Sequence, residues 1–206
     1  MPSNNTTKKL RAALTPQRLP GKARVAAVLE AATAVIAEKG YDAATMAEIA
    51  VRARAPIGSL YRFFPNKEIL ADALIQRYAV LINQSFDVID RQVAGQSPEA
   101  TADAILDFMI HLHDESRAMS GLLEARSGYS AKRMEFRKLA LKRIAKTVSL
   151  CAPALSKGQA GDVAVILLHN MKTMKAMKFG ENVPNSPGAA NELRQMNRLY
   201  FASKLK

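Results

Sequence analysis

The sequence of 206 residues contains a single cysteine, Cys151, so no intrachain disulfide can form, and this fits a reducing compartment. It also lacks a long apolar run: the longest aliphatic stretch, Val163 to Leu168, falls far short of the roughly 20 residues needed to cross a bilayer. With no leader-like segment at its start, the chain is expected to be cytoplasmic and to have no membrane partner. Gly-rich phosphate loops, a Gly-x-Ser-x-Gly nucleophile elbow and metal-ligand clusters are all missing. His111 and His113 stand two apart on a predicted helix and so point to different faces, while His169 has no acid or cysteine at ligand spacing. No enzymatic activity, catalytic residue, metal or cofactor is therefore expected. Alternating strand patterns, internal repeats and a sustained heptad seam are absent too, which leaves an all-α chain.

Acidic residues are scarce. The formal net charge is +12 and the pI about 10.0, a balance that favours a polyanion such as nucleic acid or an anionic membrane surface. The first 24 residues hold Lys8, Lys9, Arg11, Arg18, Lys22 and Arg24 and no acid. With Thr6, Thr7, Pro2, Pro16 and Pro20 interspersed, residues 1–19 read as a disordered basic arm, either tracking phosphates or a minor groove or serving as a solubilising tail.

What the sequence does contain is concentrated between Thr45 and Leu70. Thr45 and Glu48 make a Thr-x-x-Glu capping box that opens a helix. Met46, Ile49, Ala50 and Ala53 come next at helical spacing, and Arg54-Ala55-Pro56 ends it, because the residue before proline is pushed out of the α region. Pro56 suits the start of a second short helix that runs until Pro65, and Asn66 can cap a third from Lys67 through Leu81. Upstream, Val25, Val28, Leu29, Ala32, Val35 and Ile36 form one apolar face that ends at Lys39-Gly40. Residues 20–66 thus make a three-helix domain containing a helix-turn-helix.

Gly40-Tyr41, Thr45-Met46, Glu48-Ile49-Ala50, Gly58-Ser59-Leu60-Tyr61, Phe64-Pro65 and Lys67-Glu68, in that order and spacing, resemble the signature of the TetR family of bacterial transcriptional regulators. The resemblance implies that the helix 56–62 is the recognition helix, with Pro56, Ile57, Ser59, Tyr61 and Arg62 facing the major groove and Gly58 allowing close approach. It also implies phosphate contacts at Thr45, Tyr61 and Lys67, which fix register rather than sequence. Ile49, Ala50, Leu60 and Phe64 read as core, and Phe63 as core or domain-junction packing, with DNA contact as the alternative. Arg54 stands where the family often has glycine. A left-handed conformation there costs a non-glycine residue roughly 1 kcal/mol, and its guanidinium is either a phosphate contact or a solvated surface group.

Beyond residue 66 the pattern stays helical. Ser97-Pro98-Glu99 opens a helix whose Ala102, Ile105, Leu106, Met109, Leu112 and His113 share a face, and Gly121 and Gly128 are expected to break the helical pattern after it. The cluster Arg126, Lys132, Arg133, Arg137, Lys138, Lys142, Arg143 and Lys146, interleaved with Met134, Leu139 or Leu141, Ile144 and Val148, reads as an amphipathic helix with a solvated cationic face. Sharper alternatives are a polyanion-binding surface or an anionic effector near a pocket mouth. Val163, Ile166, Leu167, Asn170, Met174 and Met177 form a stripe within Asp162 to Phe179, and after Pro184-Asn185-Ser186-Pro187-Gly188 a last helix presents Leu193, Met196, Asn197 and Tyr200.

In the resembled family, the last two long helices form a four-helix bundle with a second subunit, which implies a homodimer; intramolecular core is the alternative use of these stripes. Residues 67–206 are accordingly expected to form an effector-binding and dimerisation domain. Phe108, Met109, Leu112, His113, Met119, Leu123, Phe136, Met171 and Met174, with Leu122 beside them, are candidates to line its apolar pocket, and Arg117, Glu124 and Arg126 to supply polar groups. Cys151 is expected to be a buried inert thiol, with redox sensing or an intersubunit bridge as alternatives. The expected function is that of a repressor, released from an inverted-repeat DNA operator when a small molecule binds. The alternative is a ligand-independent dimeric DNA-binding protein whose C-terminal half serves dimerisation or a protein partner.

Overall fold

The computed structural model describes residues 18–93, 95–124, 131–180 and 188–204, without the side chains of residues 109, 113–116 and 124. Lys8, Lys9 and Arg11 of the basic arm, Arg126, Gly128, the loop 184–187 and the side chains of Met109, His113 and Glu124 lie outside the described residues. Those described form nine helices and no strand. The all-α class is thus as expected.

Helix α1, Leu19–Lys39, buries Val28, Ala32, Val35 and Ile36 and ends at Gly40, whose φ of 79° is open to glycine at no steric cost. Helix α2, Met46–Arg52, opens on the anticipated capping box: the Thr45 hydroxyl accepts from the Glu48 amide at 3.2 Å, and the Glu48 carboxylate accepts from the Thr45 amide at 3.1 Å. Helix α3, Ile57–Phe63, comes after a tight turn, with Pro56 just outside it at ψ 133°. Ile49, Ala50, Leu60, Phe63 and Phe64 from α2, α3 and its end pack with α1 into one core, which settles Phe63 as a core residue. Asn66 caps α4, Lys67–Val93, by accepting from the Ile69 amide at 2.8 Å. This helix runs well past the predicted end at Leu81, because Phe86, Ile89 and Val93 continue its buried face into the second half.

The second half is built around α5, Pro98–His111; α6, His113–Glu124; α7, Ala131–Cys151; α8, Lys157–Phe179; and α9, Ala189–Ser203. Ser97 caps α5 by accepting from the Ala100 amide at 3.2 Å. Helix α8 begins five residues before the anticipated Asp162, at a second capping box in which Ser156 and Gln159 exchange bonds of 3.3 and 2.9 Å. The anticipated break at Gly121 does not occur. Gly121 lies inside α6, where a Cβ would meet Ile36 and the adjoining Gly40 at 3.7 Å, an ordinary contact distance, so the helix continues past the glycine packed against the end of α1.

A second core, centred on Phe86, Leu106, Ile144, Val163, Leu167, Met171 and Phe201, joins α4, α5, α7, α8 and α9. Charged pairs brace it. Arg143 of α7 reaches Asp87 at 2.6 Å and Asp90 at 3.2 Å on α4, and Asp90 also takes Lys146 at 2.8 Å and the Thr147 hydroxyl at 2.5 Å. Arg194 and Arg198 of α9 grip Asp103 of α5, with Arg194 extending to Asp107. The expected solvated cationic face of α7 is therefore corrected at two positions. Arg133 is buried and the Arg143 side chain is only 12% exposed.

Candidate nucleic-acid interface and ligand cavity

Leu60 and Phe63 turn one side of α3 into the core, and this leaves Ile57, Gly58, Tyr61 and Arg62 exposed on the other. Thr45, Arg54 and Pro56 are exposed beside them, whereas Ser59 is half-buried and accepts from the Arg24 guanidinium at 3.4 Å. A Cβ at Gly58 would meet nothing within 4 Å. Nothing inside the protein therefore requires glycine at this position. Arg54, in the turn between α2 and α3, has φ of 49° and is the one non-glycine residue with positive φ among those described. The left-handed turn is thus kept without the residue that would adopt it most easily.

Lys67 has a role that the sequence does not display. Its ammonium donates to the carbonyl oxygens of Tyr41, Asp42 and Ala44 at 3.0, 3.1 and 3.0 Å, and it sits 4.6 Å from the centre of the Tyr41 ring. An ammonium has three protons, and all three point at the turn between α1 and α2. Arg133, from the start of α7, stacks on the same ring at 5.2 Å. Burial, with Glu68 adding to it, pushes the Tyr41 hydroxyl up. Tyr41 is 2% exposed, so cations from both halves of the molecule meet on one buried aromatic ring.

A cavity of about 300 Å³ lies between α4, α5, α6, α7 and α8. Of the residues expected to line it, Phe108, Leu112, Met119, Leu123, Phe136 and Met171 do so. Met174 does not; it is buried in the second core. Leu122 is likewise buried, in the first core. Apolar spacing alone misses the contribution of α4, where Tyr78, Leu81, Ile82 and Phe86 face the cavity, and most of that of α8, including His169 and Lys172. A signal is present in the apolar pattern of α4, but only the length of that helix shows that it passes along a cavity. Tyr78 also touches α1, its hydroxyl 3.3 Å from that of Thr33.

Cys151 is half-buried and its thiol lies 3.7 Å from the Thr101 hydroxyl; burial pushes it up, the opposite of what a reactive thiolate requires. Among the described residues no group of His, Cys, Asp and Glu is arranged to hold a metal ion, and no helix is long and apolar enough to cross a membrane.

A capped helix, a left-handed turn and a short helix with one face bare define the helix-turn-helix class of DNA-binding domains. Residues 28–74 match the family described as bacterial regulatory proteins, tetR family. The helix-turn-helix segment is thus similar to that family, and the chain shares the fold of solved regulators. A transcriptional regulator from Aquifex aeolicus VF5 is 20% identical with a TM-score of 0.66, covering 86% of this chain and 99% of its own. A TetR-family regulator from Streptomyces coelicolor is 23% identical with a TM-score of 0.61, covering 88% and 99%. FadR from Bacillus subtilis, in complex with stearoyl-CoA, is 16% identical with a TM-score of 0.62, covering 84% and 96%. No curated protein matches the sequence.

Proposed function

We propose that the protein is a homodimeric repressor that binds an inverted-repeat operator through α3 and leaves it when a small molecule fills the cavity. The observation that carries this reading is α3 itself. Its exposed side has a glycine with open space around it and is flanked by Tyr61, Arg62 and Ile57, in a domain matched to a family of DNA-binding regulators. A bare main chain lets a helix approach base edges closely, while Arg62 and Ser59 can donate to phosphates or bases. Thr45 and Tyr61 are suited to phosphate. Lys67 is better suited to holding the turn that carries Thr45 than to touching DNA, since its donors are committed.

A second subunit is favoured by the outer faces of the last two helices. Val165 and Ile166 on α8 are 43% and 42% exposed, and Met196 and Leu199 on α9 are 53% and 63% exposed, apolar surface that the same helix pair of a second copy could cover. A twofold dimer would present two α3 helices to half-sites spaced about 34 Å apart, or a multiple of that.

The cavity supports the sensing half of the reading, as does FadR, similar in fold and in complex with stearoyl-CoA. Helix α4 connects the two, since Lys67 grips the α1–α2 turn at one end while Tyr78, Leu81, Ile82 and Phe86 line the cavity further along. A hundredfold loss of operator affinity requires roughly 2.7 kcal/mol of coupling.

Selection of bound duplexes from a random pool, repeated across salt concentrations, tests the reading. One inverted repeat recovered at near-physiological salt is expected. Recovery of no motif, with binding that disappears as salt rises, would leave only charge attraction and end the proposal. On the selected duplex, Tyr61→Ala should weaken binding with the salt dependence unchanged, since a neutral phenol displaces no counterion, while the dimer persists.

A further inference from the structure

The cavity is chemically one-sided. Among its described lining residues none is acidic, whereas Arg137, His169 and Lys172 are all basic. The α7–α8 hairpin gathers them. Arg137 and Lys172 stand at matching distances from the turn between Cys151 and Lys157, on antiparallel arms, and His169 lies about one turn from Lys172. All three side chains are exposed, so the charge sits at the rim, while Phe86, Phe108, Ile144 and Met171 form a buried apolar interior. One guanidinium nitrogen of Arg137 donates to the Leu123 carbonyl at 2.8 Å, which fixes the group at the cavity edge and leaves further N–H donors open. No carboxylate pairs with Arg137, His169 or Lys172 among the described residues.

The lining runs lengthwise. It extends from Tyr78 to Phe86 along α4 and from Phe136 to Ile144 along α7, each a span of about 12 Å at 1.5 Å per residue. A volume of about 300 Å³ bounded over that length has room for one extended chain.

We propose that the cavity takes a single-chain alkyl anion, its chain among the buried aromatic and aliphatic residues and its head group between Arg137 and Lys172. This inference rests on the reading of the cavity as the effector site, and it adds the chemical class. A carboxylate and a phosphate share the required chemistry, because both accept paired donors from a guanidinium. Phenolic, amine or neutral ligands lack it.

The test is isothermal titration of the full-length protein with decanoate, decyl phosphate, decanol and decylammonium. At least one anion should bind tenfold or more tightly than decanol, and decylammonium should bind weakest. Decanoate against decyl phosphate then separates a carboxylate head from a phosphate. The double substitution Arg137→Gln with Lys172→Gln should remove the preference for the anion while affinity for decanol stays within twofold. Equal binding of decanol and both anions by the unaltered protein, or no binding of either anion, overturns the proposal without recourse to any variant. The regulator reading is scored separately, on the selected operator. An anion that binds the protein but does not displace DNA leaves the ligand class standing and ends the release mechanism; displacement by decylammonium or decanol alone does the reverse.

Discussion

The two halves of the molecule are held together by different kinds of polar contact. In the DNA-binding half the bonds are close in sequence and many end on the main chain: the Thr45–Glu48 box spans three residues, and the longest reach of the Lys67 ammonium spans 26. The second half has local caps too, at Ser97 and Ser156, but adds bonds between side chains far apart, with Thr147 and Asp90 57 residues distant and Arg198 and Asp103 95 distant. Short-range bonds to backbone fix the shape of a small unit whatever surrounds it. Long-range pairs instead fasten whole helices at their outer edges, which lets α4, α5, α7 and α8 stand apart around a cavity without collapsing into it.

That contrast can be broken most severely at Asp90. Its side chain is 9% exposed and receives Arg143, Lys146 and Thr147. Asp90→Ala removes the acceptor shared by these three groups, leaving Arg143 with Asp87 alone, and should cost about 3 kcal/mol, read as a lower midpoint in urea. Leu60→Ala in the other half removes a fully buried side chain and should also cost about 3 kcal/mol. Its damage should appear as lost amide protection in α1 to α3, with the cavity half affected less. Equal loss of protection in both halves under either substitution would show that the two are one cooperative unit.

The α5–α9 brace offers a test by acid. Burial alone would raise the Asp103 carboxyl, but Arg198 and Arg194 outweigh it and hold the group below its ordinary value of 3.8. A carboxyl depressed on folding contributes stability that is full above the unfolded value and is lost as pH falls through the folded one. Denaturation midpoints should therefore fall below about pH 4, with part of the fall absent in Asp103→Asn. A fall of the same size in that variant would assign the acid sensitivity elsewhere.

Smaller effects belong to the DNA-binding half. Thr45→Ala removes the acceptor of the capping box and should cost about 1 kcal/mol. Arg54→Gly should stabilise by less than about 1 kcal/mol, since relief of the left-handed φ is partly offset by the freer unfolded chain. If operator affinity drops in Arg54→Gly while stability rises, the guanidinium is a phosphate contact; unchanged affinity makes it a solvated group.

The same difference between halves decides how much can be read in the sequence. The capping box at Thr45, the stop at Pro56, the Asn66 cap and the apolar face of α1 are local signals, and the structure obeys each of them. Gly121 misleads because packing overrides its propensity: a glycine in mid-helix looks like a break until α6 is seen lying against the end of α1. Arg143 looks like one more solvated cation, since the acids that take it lie on α4. The cavity is legible only in part for the same cause. Phe108 and Phe136 can be named from apolar spacing, but Tyr78, Phe86 and His169 are gathered by helices whose packing no local pattern records. Lys67 is the instructive case, because its place in the motif is visible and the atoms that it holds are not.

Those atoms give Lys67 a mechanical consequence. It is the first residue of α4, and three bonds from one ammonium tie it to the turn that leads into α2. One displacement of the turn from the foot of α4 lengthens all three bonds together. Under the proposed release mechanism, a tilt of α4 would therefore be carried to this turn, and through the shared core to α3, as by a lever pinned at its foot.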